Sequence, residues 1–207
     1  DRISRSCKDR SDVREKIELI PCLFQPPARP GTNSKLENNK YICYAGTINQ
    51  QKGVYVLLDA FQRTEFSRYD NELIMIGKDL TGGHFPAQAE AVERVNYLGP
   101  LPHPEVIEYI DGSQLLVLPS YSEGLPRVCM ESIYLETNFL FPASVRELRR
   151  HFPDWALDKI EPDTLADKID RAVKQDFSSG YPLEEHYPEN VIPRVRQIYS
   201  EICGDRN

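Results

Sequence analysis

Two glutamates and one lysine have the residue types and spacing to do chemistry in this 207-residue chain. Glu123 and Glu131, with seven residues between them, lie in the stretch Ser-Tyr-Ser-Glu-Gly-Leu-Pro-Arg-Val-Cys-Met-Glu at Ser120–Glu131. The apolar run Leu115–Leu118 leads into that stretch and predicts a buried strand. A turn follows at Ser122–Gly124, and Pro126 is placed as the first residue of a helix. A strand, a glycine turn and an open helix N-terminus together favour an anion, with the amides near Arg127 and Val128 free to face phosphate. If the whole interval were helical, its eight steps would span ~12 Å, comparable with the reach from a ribose across a diphosphate to a sugar. Glu131 is then a candidate acceptor for a ribose diol, like the acidic residue of dinucleotide folds, and Glu123 for sugar hydroxyls. The plain alternative is a pair of solvated helix glutamates.

Lys52 belongs to a separate loop, Gly46-Thr47-Ile48-Asn49-Gln50-Gln51-Lys52-Gly53. At or near the start of the next helix it is badly placed for the helix dipole, and a bound anion would compensate. A solvated lysine ahead of a glycine is the alternative. The loop is not a Walker A sequence, because Lys52 lacks the following Ser or Thr and the upstream glycine spacing. A further loop, Asp79-Leu80-Thr81-Gly82-Gly83, carries only the flexible-loop signal of its paired glycines.

The elements that must position these residues alternate in type. Strands are predicted at Tyr41–Ala45, Glu72–Ile76, Val95–Leu98, Leu115–Leu118, Asn138–Phe141 (cut short by Pro142) and Trp155–Ile160. Helical spacing marks Val54–Thr64, Phe85–Glu93, Pro104–Gly112, Pro126–Leu135, Val145–His151 and Thr164–Gln175, the last with Asp163 as its N-cap. A final helix over Glu189–Cys203 is interrupted or started by Pro193. Strands alternating with helices of this length predict parallel pairing through right-handed crossovers, a doubly wound Rossmann-like α/β sheet. Ligands in such sheets sit beyond the carboxyl ends of the strands, so the loops after Ala45, Ile76, Leu98 and Leu118 form the candidate site. Before the first of these strands, Asp1–Glu18 is charged without sustained periodicity and reads as a frayed helix, Ile17–Pro21 as a short strand, and Gln25–Asn39 as a linker or long loop rich in Pro, Gly and Asn.

Composition narrows the function classes. Hydrophobic residues at 40% and charged residues at 28% are ordinary for a globular protein. The net charge of −7 argues against a nucleic-acid partner, which calls for a basic face. No apolar run reaches the ~18–20 residues of a membrane span, and the N-terminus lacks the apolar core of a signal peptide. The five cysteines are scattered without metal-type spacing, so a reducing, cytoplasmic compartment is the simplest inference. His84, His103, His151 and His186 read as surface or loop residues rather than ligands, since no two have metal-like spacing.

In this order the motifs resemble the C-terminal, nucleotide-sugar-binding half of a GT-B glycosyltransferase of the large retaining group called family 4, over about Lys16 to Gln175. The resemblance is carried by Tyr44-Ala45-Gly46, Lys52-Gly53, Leu57-Leu58-Asp59-Ala60-Phe61, Tyr97-Leu98-Gly99-Pro100-Leu101, Val117-Leu118-Pro119-Ser120 and Glu123-Gly124-Leu125-Pro126 with Glu131. It implies a nucleotide-diphosphate sugar as donor substrate, no cofactor, no bound metal, and hexosyl transfer with retention to a glycan, lipid or other acceptor. Lys52 would contact the diphosphate with the Gly46–Thr47 loop nearby, and Glu131 the ribose. Glu123 with the backbone of Gly124 and Leu125 would hold the sugar, and Leu101 would lie beside the base. Lys52 and the helix amides would stabilise leaving-group charge.

The resemblance also sets the expected organisation. Residues 1–24 would be the tail of an N-terminal half and hinge, 25–39 a linker or loop, 40–180 the donor-binding domain, and 181–207 a C-terminal helical segment. The acceptor-binding N-terminal half would be missing, so this chain alone would be inactive, and any membrane association would come only through that half. Four departures stand out. Thr47 occupies a position where family members commonly carry Arg, leaving Arg127 or Lys78 to supply the second cation. Cys22-Leu23 replaces the usual Asn-Gly, Glu136 an expected helix-ending glycine, and Asn138 an expected proline. Thr47 motivates the alternative of a diverged, non-catalytic nucleotide- or sugar-binding domain; a doubly wound interaction domain without a ligand is a third reading.

Overall fold

The computed structural model describes residues 20–31 and 40–204. The opening segment Asp1–Glu18 and most of the strand expected over Ile17–Pro21 lie outside the described residues, and Ile20 and Pro21 are not in a strand. The chain divides into two units, one of Pro26–Leu183 and one of Asp1–Gln25 with Glu184–Asn207.

The Pro26–Leu183 unit holds six parallel strands: β1 (Tyr41–Ala45), β2 (Glu72–Ile76), β3 (Val95–Gly99), β4 (Leu115–Val117), β5 (Phe139–Pro142) and β6 (Ala156–Leu157). Their spatial order is β3-β2-β1-β4-β5-β6, a doubly wound sheet in which the winding direction reverses between β1 and β4. β1, β4 and β5 are buried along their whole lengths, as expected of parallel strands covered on both faces. The edge strand β3 alternates between buried or half-buried and exposed positions.

Helices α1 (Val54–Arg63), α2 (His84–Glu90), α3 (His103–Asp111), α4 (Arg127–Leu135), α5 (Arg146–His151) and α6 (Pro162–Ala172) connect and cover the strands. α1 buries Val54, Leu57, Leu58, Ala60 and Phe61, and each such large side chain contributes about 1.5–3 kcal/mol relative to exposure. α1 packs against α6. Asp170 of α6 accepts hydrogen bonds from the amides of Glu65 and Phe66 at 2.8 and 2.9 Å, closing off the turn after α1. Arg29 donates to the Tyr134 carbonyl at 2.9 Å, and its guanidinium lies 4.9 Å from the Tyr134 ring centre.

Several sequence-derived boundaries shift, each for a local reason. Pro126 is the N-cap of α4 rather than its first residue, with extended backbone (ψ 128°) and a carbonyl that accepts from the amides of Cys129 and Met130. The interval from Glu123 to Glu131 is therefore helical only from Arg127 onward, and the ~12 Å helical span does not apply. α6 begins at Pro162, with Glu161 as N-cap; Asp163 does not cap, because its carboxylate bonds Arg63 at 2.6 Å. Proline at the first helical position sets φ for the start and needs no hydrogen-bond partner there. β5 runs through Pro142, since the ladder to Leu157 takes its N–H from Ala143. α2 ends at Glu90, and β6 is only two residues long.

In the other unit, the Phe24 amide donates to the His186 carbonyl at 2.7 Å, and the buried His186 ring bonds the Cys22 carbonyl through Nδ1 at 3.0 Å. His186 is thus a buried packing residue, correcting its reading as a surface or loop side chain. α7 (Pro188–Gly204) contains Pro193 in its interior, so the proline neither starts nor ends the helix.

The departures at Glu136 and Asn138 both fall at the turn into β5. Glu136 takes a left-handed conformation (φ 62°) as the C-cap of α4, where glycine is at ease and an L side chain is strained. Asn138 is buried and donates to the carbonyls of Ala172 and Gln175 at 3.2 and 2.8 Å, giving the C-terminal end of α6 partners that a proline has no N–H to supply. Glu136→Gly is expected to raise stability by about 0.5–1 kcal/mol and the melting midpoint by roughly 2–4 °C, measured by thermal unfolding followed by circular dichroism.

Candidate functional site

The two loops that leave the sheet on either side of the reversal, after β1 and after β4, are held against each other. The Tyr121 amide donates to the Gln51 carbonyl at 3.0 Å. Gly53 has φ 66°, and a Cβ there would lie 2.1 Å from the Pro119 carbonyl oxygen. Only glycine satisfies both the left-handed backbone and that approach. Lys52 ends a short 3₁₀ turn, Gln50–Lys52, whose N-cap Asn49 accepts from the Lys52 amide at 3.0 Å.

From this turn the Lys52 ammonium reaches across to Glu123, with Nζ 2.5 Å from Oε1. The pair is partly shielded, with side-chain exposures of 29% and 14%, so it is less screened than a surface pair. Beneath it, the Tyr44 hydroxyl donates to the Thr47 carbonyl at 2.8 Å. Burial raises the Tyr44 phenol pKa, and the neighbouring Glu123 charge raises it further. The phenol stays protonated and serves as a fixed donor.

Glu131, in the second turn of α4, is 2% exposed. It bonds His103 Nε2 at 2.7 Å and Arg127 Nε at 3.1 Å. Burying a carboxylate is costly without such partners, so Glu131 is not a solvated helix glutamate. Cys129 lies between the two acids; burial above all, and then Glu123 and Glu131, push its thiol well up, which keeps it protonated and unreactive.

The remaining sequence-derived positions fall around these two acids. Gly46 and Thr47 are half-buried after β1, and the Gly46 amide bonds the Ile76 carbonyl at 2.9 Å. Gly124 is exposed and Leu125 half-buried in the turn before α4. The amides of Arg127 and Val128 open the first turn of α4 with no hydrogen-bond partner among the described residues. Leu101 is half-buried in the loop after β3. Of the two cations considered for the role that Thr47 vacates, Lys78 is exposed after β2. Arg127 engages Glu131 through Nε alone, leaving its terminal nitrogens uncommitted among the described residues.

Two features escaped the sequence. His103 had no local signal beyond its place at the start of α3, because its partner is 28 residues away. The loop at Asp79 is ordered: its carboxylate accepts from the Thr81 hydroxyl and amide at 2.6 and 2.8 Å and from the Gly83 amide at 2.7 Å. The Thr81 hydroxyl and amide, ahead of the Gly83 amide, hold this carboxyl below the usual carboxylate range. The Asp-x-Thr spacing was the signal available.

Among the described residues, no group of three or more His, Cys, Asp or Glu is arranged to hold a metal, and no helix is long and apolar enough to cross a membrane.

Residues 29–191 match the family model described as glycosyl transferases group 1. TuaC of Bacillus subtilis (strain 168), described as a teichuronic acid biosynthesis glycosyltransferase, is 25% identical over 157 residues, covering 66% of this chain and 38% of its own. Sucrose-phosphate synthase from Thermosynechococcus elongatus superposes with a TM-score of 0.72 at 19% identity, over 91% of this chain and 53% of that one. HepE from Anabaena, solved in complex with UDP and glucose, gives a TM-score of 0.62 at 17% identity over 82% and 49%. The chain thus spans about half, or less, of the length of these relatives.

The contact between the two loops generates a direct expectation. Gly53→Ala is expected to cost about 2–4 kcal/mol, combining left-handed strain with overpacking against Pro119, read as a lowered urea midpoint with an unchanged m-value.

Proposed function

The chain belongs to the glycosyl transferases group 1, and from that premise we propose that it is the donor-binding half of a GT-B enzyme. That enzyme moves a hexosyl group from a nucleotide-diphosphate sugar to an acceptor, with retention at the transferred carbon. The observation that carries this reading is the Lys52–Glu123 ion pair joining the loops after β1 and β4 at the sheet reversal. A cation and an acid held at that crevice match a ligand carrying a diphosphate beside a hydroxyl-rich sugar.

On this reading Lys52 moves to the diphosphate and stabilises the charge that builds on it as the glycosidic bond breaks. The amides of Arg127 and Val128 and the free nitrogens of Arg127 face the same phosphates, with Arg127 standing in for the arginine absent at Thr47. Glu123, released from Lys52, accepts from sugar hydroxyls beside the backbone of Gly124 and Leu125. Glu131 accepts from the ribose, and Leu101 flanks the base. The capture of HepE with UDP and glucose supports a uridine nucleotide as the first donor to try.

Residues 40–180 serve as the donor domain, 1–24 as the tail of an N-terminal half, 25–39 as linker and 181–207 as a C-terminal helical segment. The acceptor is held by that N-terminal half, and closing the cleft between halves orients acceptor against donor and expels water. Hence this chain alone binds donor without transferring it. The free thiols of Cys22, Cys43 and Cys129 support a cytoplasmic setting.

Calorimetric titration with UDP, GDP, ADP and their sugars tests donor binding. At least one is expected to bind, with affinity reduced about tenfold or more in Lys52→Ala; no binding to any of them overturns the reading. In a two-domain parent, Glu123→Ala is expected to lower kcat by about 10²-fold or more. A parent that binds nucleotide without measurable transfer would instead favour the non-catalytic reading that Thr47 motivates.

A further inference from the structure

The two bonds to Glu131 share a detail that its function as an acceptor makes significant. His103 Nε2 and Arg127 Nε both bond Oε1, while Oε2 has no hydrogen-bond partner among the described residues. This is a carboxylate 2% exposed, clamped by one oxygen and open at the other. Unlike Ser132 Oγ and Asn138 Oδ1, Oε2 is not a fully buried orphan, so it stays open to a donor such as a ligand hydroxyl.

The last torsion of a glutamate side chain is broad, so the direction in which Oε2 points is set by whatever holds Oε1. Arg127 is four residues back on the same helix and its side chain is 64% exposed, a single tether on a long flexible stem. His103 approaches from a different element, the first position of α3, and its ring fixes the carboxylate from a second direction. The side chain is 48% exposed, so burial of the ring does not explain its placement. Because a carboxylate can only accept here, Nε2 carries the proton whether the imidazole is neutral or charged.

We propose that His103 is a positioning residue for ribose recognition: with Arg127 it holds Oε1 of Glu131 so that Oε2 is the oxygen presented to a ribose hydroxyl. The proposal rests on the reading of Glu131 as the ribose acceptor. It also gives the loop after β3 a second task, since the segment that places Leu101 beside the base delivers His103 to the acid two residues later. Base and ribose would then be registered by one loop.

The test compares two ligands in three proteins by calorimetry: wild type, His103→Ala and His103→Gln. The ligands are whichever of UDP, GDP and ADP binds most tightly and its 2′,3′-dideoxy counterpart. His103→Ala is expected to lose about tenfold in affinity for the ribonucleotide and nothing for the dideoxy form. His103→Gln, which restores a donor near the place of Nε2, is expected to recover most of the loss. Matching melting midpoints for the three proteins would show that the fold is intact.

An equal loss for both ligands, or no rescue by glutamine, overturns the proposal, because a merely structural side chain would act without regard to the ribose hydroxyls. A gain in ribonucleotide affinity in His103→Ala overturns it in the opposite sense, identifying His103 as a competitor for the acid. Wild-type protein that binds both ligands equally removes Glu131 as ribose acceptor. Wild-type protein that binds no nucleoside diphosphate brings down the donor-binding reading and this inference with it, which separates the two failures.

Discussion

The backbone contact between Gly53 and Pro119 fixes the geometry on which the site depends. β1 and β4 are neighbours in the sheet, but the chain leaves them toward opposite ends of it. Their loops would diverge unless something drew them together. The approach of Gly53 to the Pro119 carbonyl and the Tyr121–Gln51 hydrogen bond do this with main-chain atoms. Main-chain contacts involve no rotamer freedom, so the distance between the loops is set by the fold itself. Gly77 does the same at the neighbouring strand: its φ of 147° and a hypothetical Cβ 1.8 Å from the Gly46 carbonyl oxygen show how closely the loops after β1 and β2 approach. Side-chain chemistry is then laid over a frame set by main-chain contacts.

Electrostatics follows from that frame. Glu123 and Glu131 are both shielded from water; Glu123 is met by the Lys52 ammonium, and Glu131 by the His103 ring and the Arg127 guanidinium of the preceding turn. Lys52 comes from the loop after β1, His103 from the start of α3 and Arg127 from the first turn of α4. An acid left alone at either place would be costly to ionise. Tyr44 and Cys129, buried close to these acids, carry no charge to disturb the balance, since burial keeps both protons in place. The local pairing places cations at this crevice within an acidic chain of net charge −7, each already engaged with an acid.

Much of this was legible in the sequence, and the rest was not, for physical reasons. The central strands are short apolar runs bounded by glycine or proline, and α1 has a clean 3.6-residue stripe, so element order and the doubly wound class followed from local pattern. Lys52, Glu123 and Glu131 were marked by their places after predicted strands. What local pattern does not contain is partnership. The Asp163 carboxylate looked like a cap and is instead held by Arg63, 100 residues away. His103 looked like a loop histidine because nothing near it in sequence announces Glu131. Pro126 was shifted by one position, from first helical residue to N-cap; a preset φ is compatible with N-cap and first turn alike. Glu136 shows the opposite case, where the local rule for a helix end asked for glycine and the chain adopts the glycine-like backbone with a glutamate.

The pairing of Lys52 with Glu123 bears on which ligands the proposed site would favour. A simple anion such as phosphate that drew Lys52 away would leave Glu123 shielded and without a donor, so some of the gain would be lost to the abandoned acid. A nucleotide sugar offers an anion in the middle and hydroxyl donors at both ends. On the proposed reading its diphosphate would take Lys52 and the free nitrogens of Arg127, its sugar hydroxyls would replace the lysine at Glu123, and its ribose would reach the open oxygen of Glu131. Only a ligand carrying all three groups leaves every side chain partnered. On that reading the arrangement would disfavour diphosphate without sugar relative to the intact donor, through the acid that loses its lysine rather than through any added contact to the phosphates. Selectivity built on an abandoned partner is stronger than selectivity built on one more attraction, because the penalty falls only on the incomplete ligand.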